Sequence, residues 1–296
     1  MKINQETPSN LMRNSSNQNS LDSMAPMPGA LGTSVQTGHQ RSLSELLGPL
    51  DRLTGVSANL VLKPVGHFQH EGQTYSIPRY LFVGPKGGAA PIRIAVFAGI
   101  HGDEPEGSHA VVQFIRLLES KPELAQGYCL FFYPVCNPTG YEDNTRCSRG
   151  CIDLNREFWR DSKEPEVRLL QSELVSQSFD GLISLHSDDT SGGLYGFVSG
   201  ATLTKHLLRP ALAAAGDLLP VNHSEQIDGF EAAQGIIHDG YAGVLSAPPK
   251  VRPKPFEIIL ETPGQAPRFV QQCALVIALR TILTEYRKFI AYAANL

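Results

Sequence analysis

Residues 94–107 read Ile-Ala-Val-Phe-Ala-Gly-Ile-His-Gly-Asp-Glu-Pro-Glu-Gly, and they decide the fold. The run opens as unbroken apolar residues, several of them β-branched or aromatic. That is the pattern of a strand buried on both faces. It ends in a polar loop carrying His101 and Glu104, and helical spacing follows at once from Gly107 to Leu118. A buried strand passing through a tight loop into a helix is the building unit of an α/β fold. An imidazole and a carboxylate on that loop, separated by two residues, are donors of the kind a zinc ion accepts.

Outward from this stretch the same unit recurs. Tyr128 to Val135 and Gly181 to Leu185 are further buried strands, the second ending in His186. Phe256 to Leu260 is another, ending in Glu261-Thr-Pro-Gly264. Helical spacing covers residues 165–177, 203–215 and 268–293, while residues 232–238 fit either a helix or a strand edge. Strands alternating with helices predict a three-layer α/β/α sandwich on a mixed, largely parallel central sheet. Before it, Ser42 caps a short helix with Glu45 as the reciprocal partner. Gly48-Pro49 is expected to end or kink that helix. Leu60 to Phe68 and Gln73 to Phe82 read as two strands around a hairpin-like break at His70-Glu-Gly72.

Composition removes other classes. The chain has 296 residues and a formal charge of −4, with no block of like charges, so nothing favours nucleic acid or a basic membrane-surface patch. No apolar run reaches the ~18 residues of a transmembrane helix. Residues 1–41, rich in Asn, Ser, Gln and Pro, bury too little to order and are expected to be a disordered tail ahead of one catalytic domain, 42–296. The amino terminus lacks a signal-like apolar core, so a cytoplasmic protein is expected. The five cysteines (129, 136, 147, 151 and 273) form no spaced framework. Cys147 and Cys151 have no second Cys/His pair at zinc-finger spacing.

Strand carboxyl ends gather on one edge of a parallel sheet, where open α/β folds place ligands. His101, Glu104, His186 and Glu261 all sit at such ends and should converge. Two histidines and one carboxylate leave a fourth zinc position for water, the arrangement of a catalytic site. Glu261, at the ligand-bearing edge, suits the general base that takes the water proton; Glu257, on the same strand face, is its rival. The loop from Asn137 to Arg156 supplies Arg146, Arg149, Asn155 and Arg156, donors suited to an oxyanion and a substrate carboxylate.

These motifs resemble the carboxypeptidase A-like zinc peptidases at four points. His101-Gly-Asp-Glu104 is similar to the ligand pair of that family, and Leu185-His186-Ser187 to its third-ligand strand end. Asn137-Pro-Thr-Gly140 is similar to its Asn-Pro-x-Gly turn, and Asp153-Leu-Asn-Arg156 to its substrate-carboxylate motif. The resemblance covers residues 60–290 and implies one Zn2+ per chain on His101, Glu104 and His186. It implies Asn155 and Arg156 on the substrate carboxylate, Glu261 as base and acid, and Arg146 at the oxyanion, with Arg149 as the fallback. A mobile tyrosine of the family falls on Tyr241, with Tyr195 second. The short interval from His186 to Glu261 is closer to compact bacterial members, such as murein peptide amidase-like enzymes. A sister group, the succinylglutamate desuccinylase and aspartoacylase family, shares the ligands, the Asp-Leu-Asn-Arg run and the base. The implied activity is hydrolysis of an amide beside a free carboxylate. The substrate would be a short, cell-wall-type peptide or, alternatively, an N-acyl amino acid. A binding protein on the same scaffold would dispense with a catalytic position, and none is missing.

Overall fold

The computed structural model describes residues 40–87 and 90–293, so nearly all of the expected tail lies outside the described residues. In chain order the elements are α1 (Leu43–Thr54), β1 (Leu60–Leu62), β2 (Gly66–His70), β3 (Gln73–Ile77), β4 (Tyr80–Val83), β5 (Ile92–Ala98), α2 (Pro105–Ser120) and β6 (Tyr128–Tyr133). Then come α3 (Pro138–Asp143), α4 (Pro165–Ser176), β7 (Gly181–Asp188), β8 (Tyr195–Val198) and α5 (Ala201–Leu203), which runs through a π turn into α6 (Arg209–Ala215). Three short strands follow, β9 (Gln226–Ile227), β10 (Phe230–Ala233) and β11 (Ile236–Ile237), before β12 (Phe256–Pro263) and α7 (Arg268–Ala293).

One sheet carries the strand order β1-β4-β6-β5-β7-β12-β8-β11-β10-β9. Its centre, β6-β5-β7-β12, is parallel throughout, and antiparallel strands are added on both sides. The side-chain period of two sorts each central strand between two cores. Ile94 and Val96 of β5 join Leu130 and Phe132 of β6 on the face covered by α1, α2, α6 and α7. Ala95 and Phe97 join Phe131 and Tyr133 on the opposite face, under α4 and the separate β2–β3 hairpin. The expected three-layer α/β sandwich is therefore present, with one outer layer made largely of helices and the other part helix, part hairpin. The apolar run at residues 94–98 is continuous because both faces of β5 are covered.

Prolines account for the differences from the expected elements. The two strands expected over residues 60–82 each divide, at Pro64 and at Pro78. A proline cannot donate to the ladder. The outer pieces, β1 and β4, pair with each other in the main sheet, while β2 and β3 turn away as the hairpin. Pro49, by contrast, does not end α1, which continues through it to Thr54. The ambiguous residues 232–238 are strand edges, in β10 and β11.

The hairpin-side core contains a buried charge. Arg79 forms an ion pair with Glu173, and its Nε donates to the Lys63 carbonyl at 3.1 Å. Tyr133 donates its hydroxyl to the same Glu173 oxygen at 2.8 Å. Removing one partner of a buried pair leaves the other uncompensated. Arg79→Ala is therefore expected to lower the unfolding free energy by about 3–5 kcal/mol in urea titration. A loss under about 1 kcal/mol would mean that the pair contributes no more than an exposed one.

Candidate active site

The chain turns back on itself around β5. It leaves β5 through α2 to pair β6 on one side, and later returns as β7 on the other. A reversal of strand order opens a crevice at the strand carboxyl ends. The loop after β5 falls into that crevice. Gly99 begins it with φ +61°, a conformation suited to glycine. His101 follows, and Glu104 sits at the head of α2.

The loop is held by direct backbone packing. A β-carbon on Gly102 would lie 1.9 Å from the carbonyl carbon of Gly140, so only glycine fits. This accounts for the Asn137-Pro-Thr-Gly turn. The Asn137 carbonyl oxygen accepts from Gly140 N at 2.9 Å to cap α3, while its amide nitrogen donates to the carbonyls of Ile100 and Arg146. One asparagine thus ties the His101 loop to the arginine loop.

His101, Glu104 and His186 come together, with one donor atom of each lying within 4.8 Å of the others. Glu104 Oε1 is 2.6 Å from His101 Nδ1, and Oε2 is 2.9 Å from His186 Nδ1. The backbone N–H of Ser187 also donates to Oε2, at 3.2 Å. The far nitrogen of His101, Nε2, is 3.2 Å from Asp153 Oδ1, a carboxylate that fixes the ring and leaves Nδ1 facing Glu104. In the sequence Asp153 is legible through the Asp153-Leu-Asn-Arg156 motif, which joins an orienting carboxylate to Asn155 and Arg156.

Burial opposes the Glu104 charge, but His186 and His101 outweigh it and hold the carboxyl well below its usual range. Burial also opposes the His101 imidazolium; Glu104 and Asp153 overcome this and raise its pKa. His186 is lowered, because burial prevails over Glu104 there.

The third strand end brings in Glu261. In the parallel pairing of β12 with β7 it lies opposite His186, and in the antiparallel pairing with β8 it lies opposite Tyr195. Opposed residues share a sheet face, so His186, Glu261 and Tyr195 form a row across three strands. Burial, then repulsion from Glu104, Asp188 and Asp228, pushes the Glu261 carboxyl well above its ordinary pKa. Glu257 lies at the other end of β12, bound to Lys254 at 2.7 Å and to the Ala247 N–H, away from this row.

A cleft of about 430 Å³ opens over these groups. Arg146, Asn155, Arg156, Tyr195 and Tyr241 line it. Arg146 reaches Asp153 Oδ2 at 3.1 Å and Glu104 Oε1 at 3.4 Å. Asn155 is buried, and its side-chain Oδ1 accepts the Leu245 N–H at 2.9 Å. The Arg156 guanidinium lies 4.3 Å from the centre of the Tyr241 ring. Arg149 is placed elsewhere: it grips Asp143 at 2.6 and 2.7 Å and the Tyr75 hydroxyl at 2.6 Å, clamping the β2–β3 hairpin to α3. It does not line the cleft. Its neighbours satisfy it, which loop composition does not disclose.

The donor set suits a metal ion. Two imidazole nitrogens and a carboxylate lie close together, and the carboxyl groups of Glu261 and Asp153 stand around them. Among the described residues Arg146 is the one arginine or lysine paired with Glu104 or Asp153. Cys147 and Cys151 are not part of this group. Gly102→Ala, which forces the two loops apart, is expected to abolish stoichiometric metal uptake while the far-ultraviolet circular dichroism stays native. Full uptake by that variant would show that the loop contact does not set the ligands.

The family profile of the succinylglutamate desuccinylase/aspartoacylase catalytic domain matches residues 90–235. The matched span holds His101, Glu104, Arg146, the Asp-Leu-Asn-Arg run and His186, and ends before Tyr241 and Glu261. A search of curated proteins finds no match. Among solved structures, a candidate metallopeptidase from Shewanella amazonensis is 22% identical, with 81% of this chain and 90% of that chain covered and a TM-score of 0.67. A metallo-carboxypeptidase from Burkholderia cenocepacia is 16% identical over 84% of this chain and 70% of its own, with a TM-score of 0.65. Bovine thrombin-activatable fibrinolysis inhibitor is 16% identical over 84% and 98%, with a TM-score of 0.62. At these identities the solved structures speak for the fold, and with the profile they bear out the resemblance drawn from the four motifs. Among the described residues no helix is long and apolar enough to cross a membrane.

Proposed function

We propose that this chain is a zinc-dependent hydrolase of an amide bond beside a free carboxylate. The observation that carries this reading is the row of His186, Glu261 and Tyr195 across three strands, facing a cleft that also holds His101, Glu104 and Arg156. His101, Glu104 and His186 would hold the zinc, whose chemistry is to polarise the amide carbonyl and ease deprotonation of water.

The rest falls to the chain. Glu261 accepts the water proton on a carboxylate oxygen and passes it to the leaving nitrogen. Burial, and after it the acidic neighbours, raise its proton affinity, which suits the second transfer more than the first; a bound cation favours the first. Arg146 turns its guanidinium from Asp153 to the developing oxyanion. The Asn155 side-chain Nδ2, which carries no hydrogen bond among the described residues, and the Arg156 guanidinium take the substrate carboxylate. Asp153 keeps His101 in the tautomer that leaves Nδ1 free.

The sequence pattern placed a short peptide first and an N-acyl amino acid second. The match to the desuccinylase/aspartoacylase profile favours the second, and both readings use the same residues. Metal analysis is expected to find about one zinc per chain. Glu261→Gln should keep that zinc and lose about 10²–10⁴-fold in turnover. Normal turnover in the variant would remove Glu261 from the reaction. Hydrolysis of tripeptides against N-acyl amino acids decides the acyl side.

A further inference from the structure

The cleft is charged at two places. One is the anion-binding wall already described: Asn155, buried and with its amide nitrogen uncommitted among the described residues, beside the Arg156 guanidinium. The other is acidic and has no assigned role. Asp188 and Asp228 both line the cleft. Asp188 Oδ2 accepts the Tyr195 hydroxyl at 3.0 Å, and Asp228 Oδ1 accepts the Tyr241 hydroxyl at 2.9 Å. Their side-chain partners among the described residues are hydroxyls and backbone N–H groups, and none is a cation.

The two places are joined by one side chain. The Tyr241 ring covers the Arg156 guanidinium, while its hydroxyl holds Asp228. Tyr241 thereby sets Asp228 next to the place where Asn155 and Arg156 would take a carboxylate. The Tyr195 hydroxyl fixes Asp188 beside the row that holds Glu261. A zinc ion on His101, Glu104 and His186 would balance Glu104 and Glu261; among the described residues Asp188 and Asp228 have no direct ion pair, and Arg156 and Arg146 act on Asp228 without touching it. When a ligand fills the cleft and displaces water, such carboxylates act more strongly on it. They would repel the second carboxylate of a dicarboxylic amino acid, and like-charge contact of this kind gives specificity.

We propose that the amine half of the substrate is an amino acid with a cationic side chain, its α-carboxylate on Asn155 and Arg156 and its ammonium or guanidinium facing Asp228 and Asp188. This rests on the cleft being the amide-hydrolysing site, and it names which amino acid that site releases. The acyl half lies on the opposite side of the scissile bond and is not constrained by it.

Calorimetric titration of the zinc-supplied full-length protein with lysine, norleucine and glutamate tests this without turnover. Norleucine keeps the α-carboxylate, the α-amine and the chain, and lacks only the terminal charge. Lysine should bind at least about tenfold more tightly than norleucine, with glutamate weakest. Asp228→Asn should bring the lysine-to-norleucine ratio towards one, and Asp228→Glu should restore part of it. Norleucine or glutamate binding as tightly as lysine, or a ratio that survives Asp228→Asn, overturns the proposal. A protein that hydrolyses N-acyl-lysine and N-acyl-norleucine equally well keeps the proposed function and loses this inference. One that binds lysine selectively and hydrolyses no amide keeps the inference and loses the function.

Discussion

The cleft depends on how one carboxylate is placed. Glu104 is buried at the head of α2, with one oxygen on His101 Nδ1 and the other on His186 Nδ1. A buried carboxylate is costly unless it is paired, and here the pairing joins residues more than 80 positions apart in the chain. The loop after β5 and the end of β7 are thereby fixed to each other. The same donors that satisfy Glu104 make up the candidate metal site, so one set of interactions serves both the fold and the chemistry.

Strand register does the rest. Because β12 runs parallel to β7 and antiparallel to β8, the pairing that seats Glu261 beside His186 also seats it beside Tyr195. A shift of one residue would turn Glu261 to the opposite face of the sheet. Burial of Leu260 and Ile258 on the helix-covered face opposes such a shift. The long helix α7 packs on that face too, with Ala274, Leu275, Ala278, Leu279 and Ile282 inside the same core. The precision of the cleft is thus inherited from packing on the side of the sheet that the cleft does not use.

Much of this could be read from the chain alone, because strand ends are legible wherever an apolar run stops at a polar residue. His101, His186 and Glu261 stand out for that reason, and parallel topology brings such ends together. What could not be read depends on partners distant in sequence. Arg149 looks like a cleft residue until Asp143 and Tyr75 are seen around it. Glu257 and Glu261 share a strand face; the strand end already marks Glu261, and what the structure adds is that Lys254 and the Ala247 N–H hold Glu257 away from the cleft. Pro64 and Pro78 divide two strands together, because the pieces pair with each other across the bend. Asp228 lies in a short turn between β9 and β10 with no motif around it, and only its bond to Tyr241 ties it to the cleft.

The central claim is that two imidazoles and one carboxylate, from the loop after β5, the head of α2 and the end of β7, form the metal centre. Zinc-edge X-ray absorption on protein carrying one equivalent of zinc tests it most directly. The account predicts a nitrogen and oxygen shell at about 2.0–2.2 Å with the outer scattering of two imidazoles. Sulfur scattering at about 2.3 Å would assign the metal to the cysteines and contradict the account.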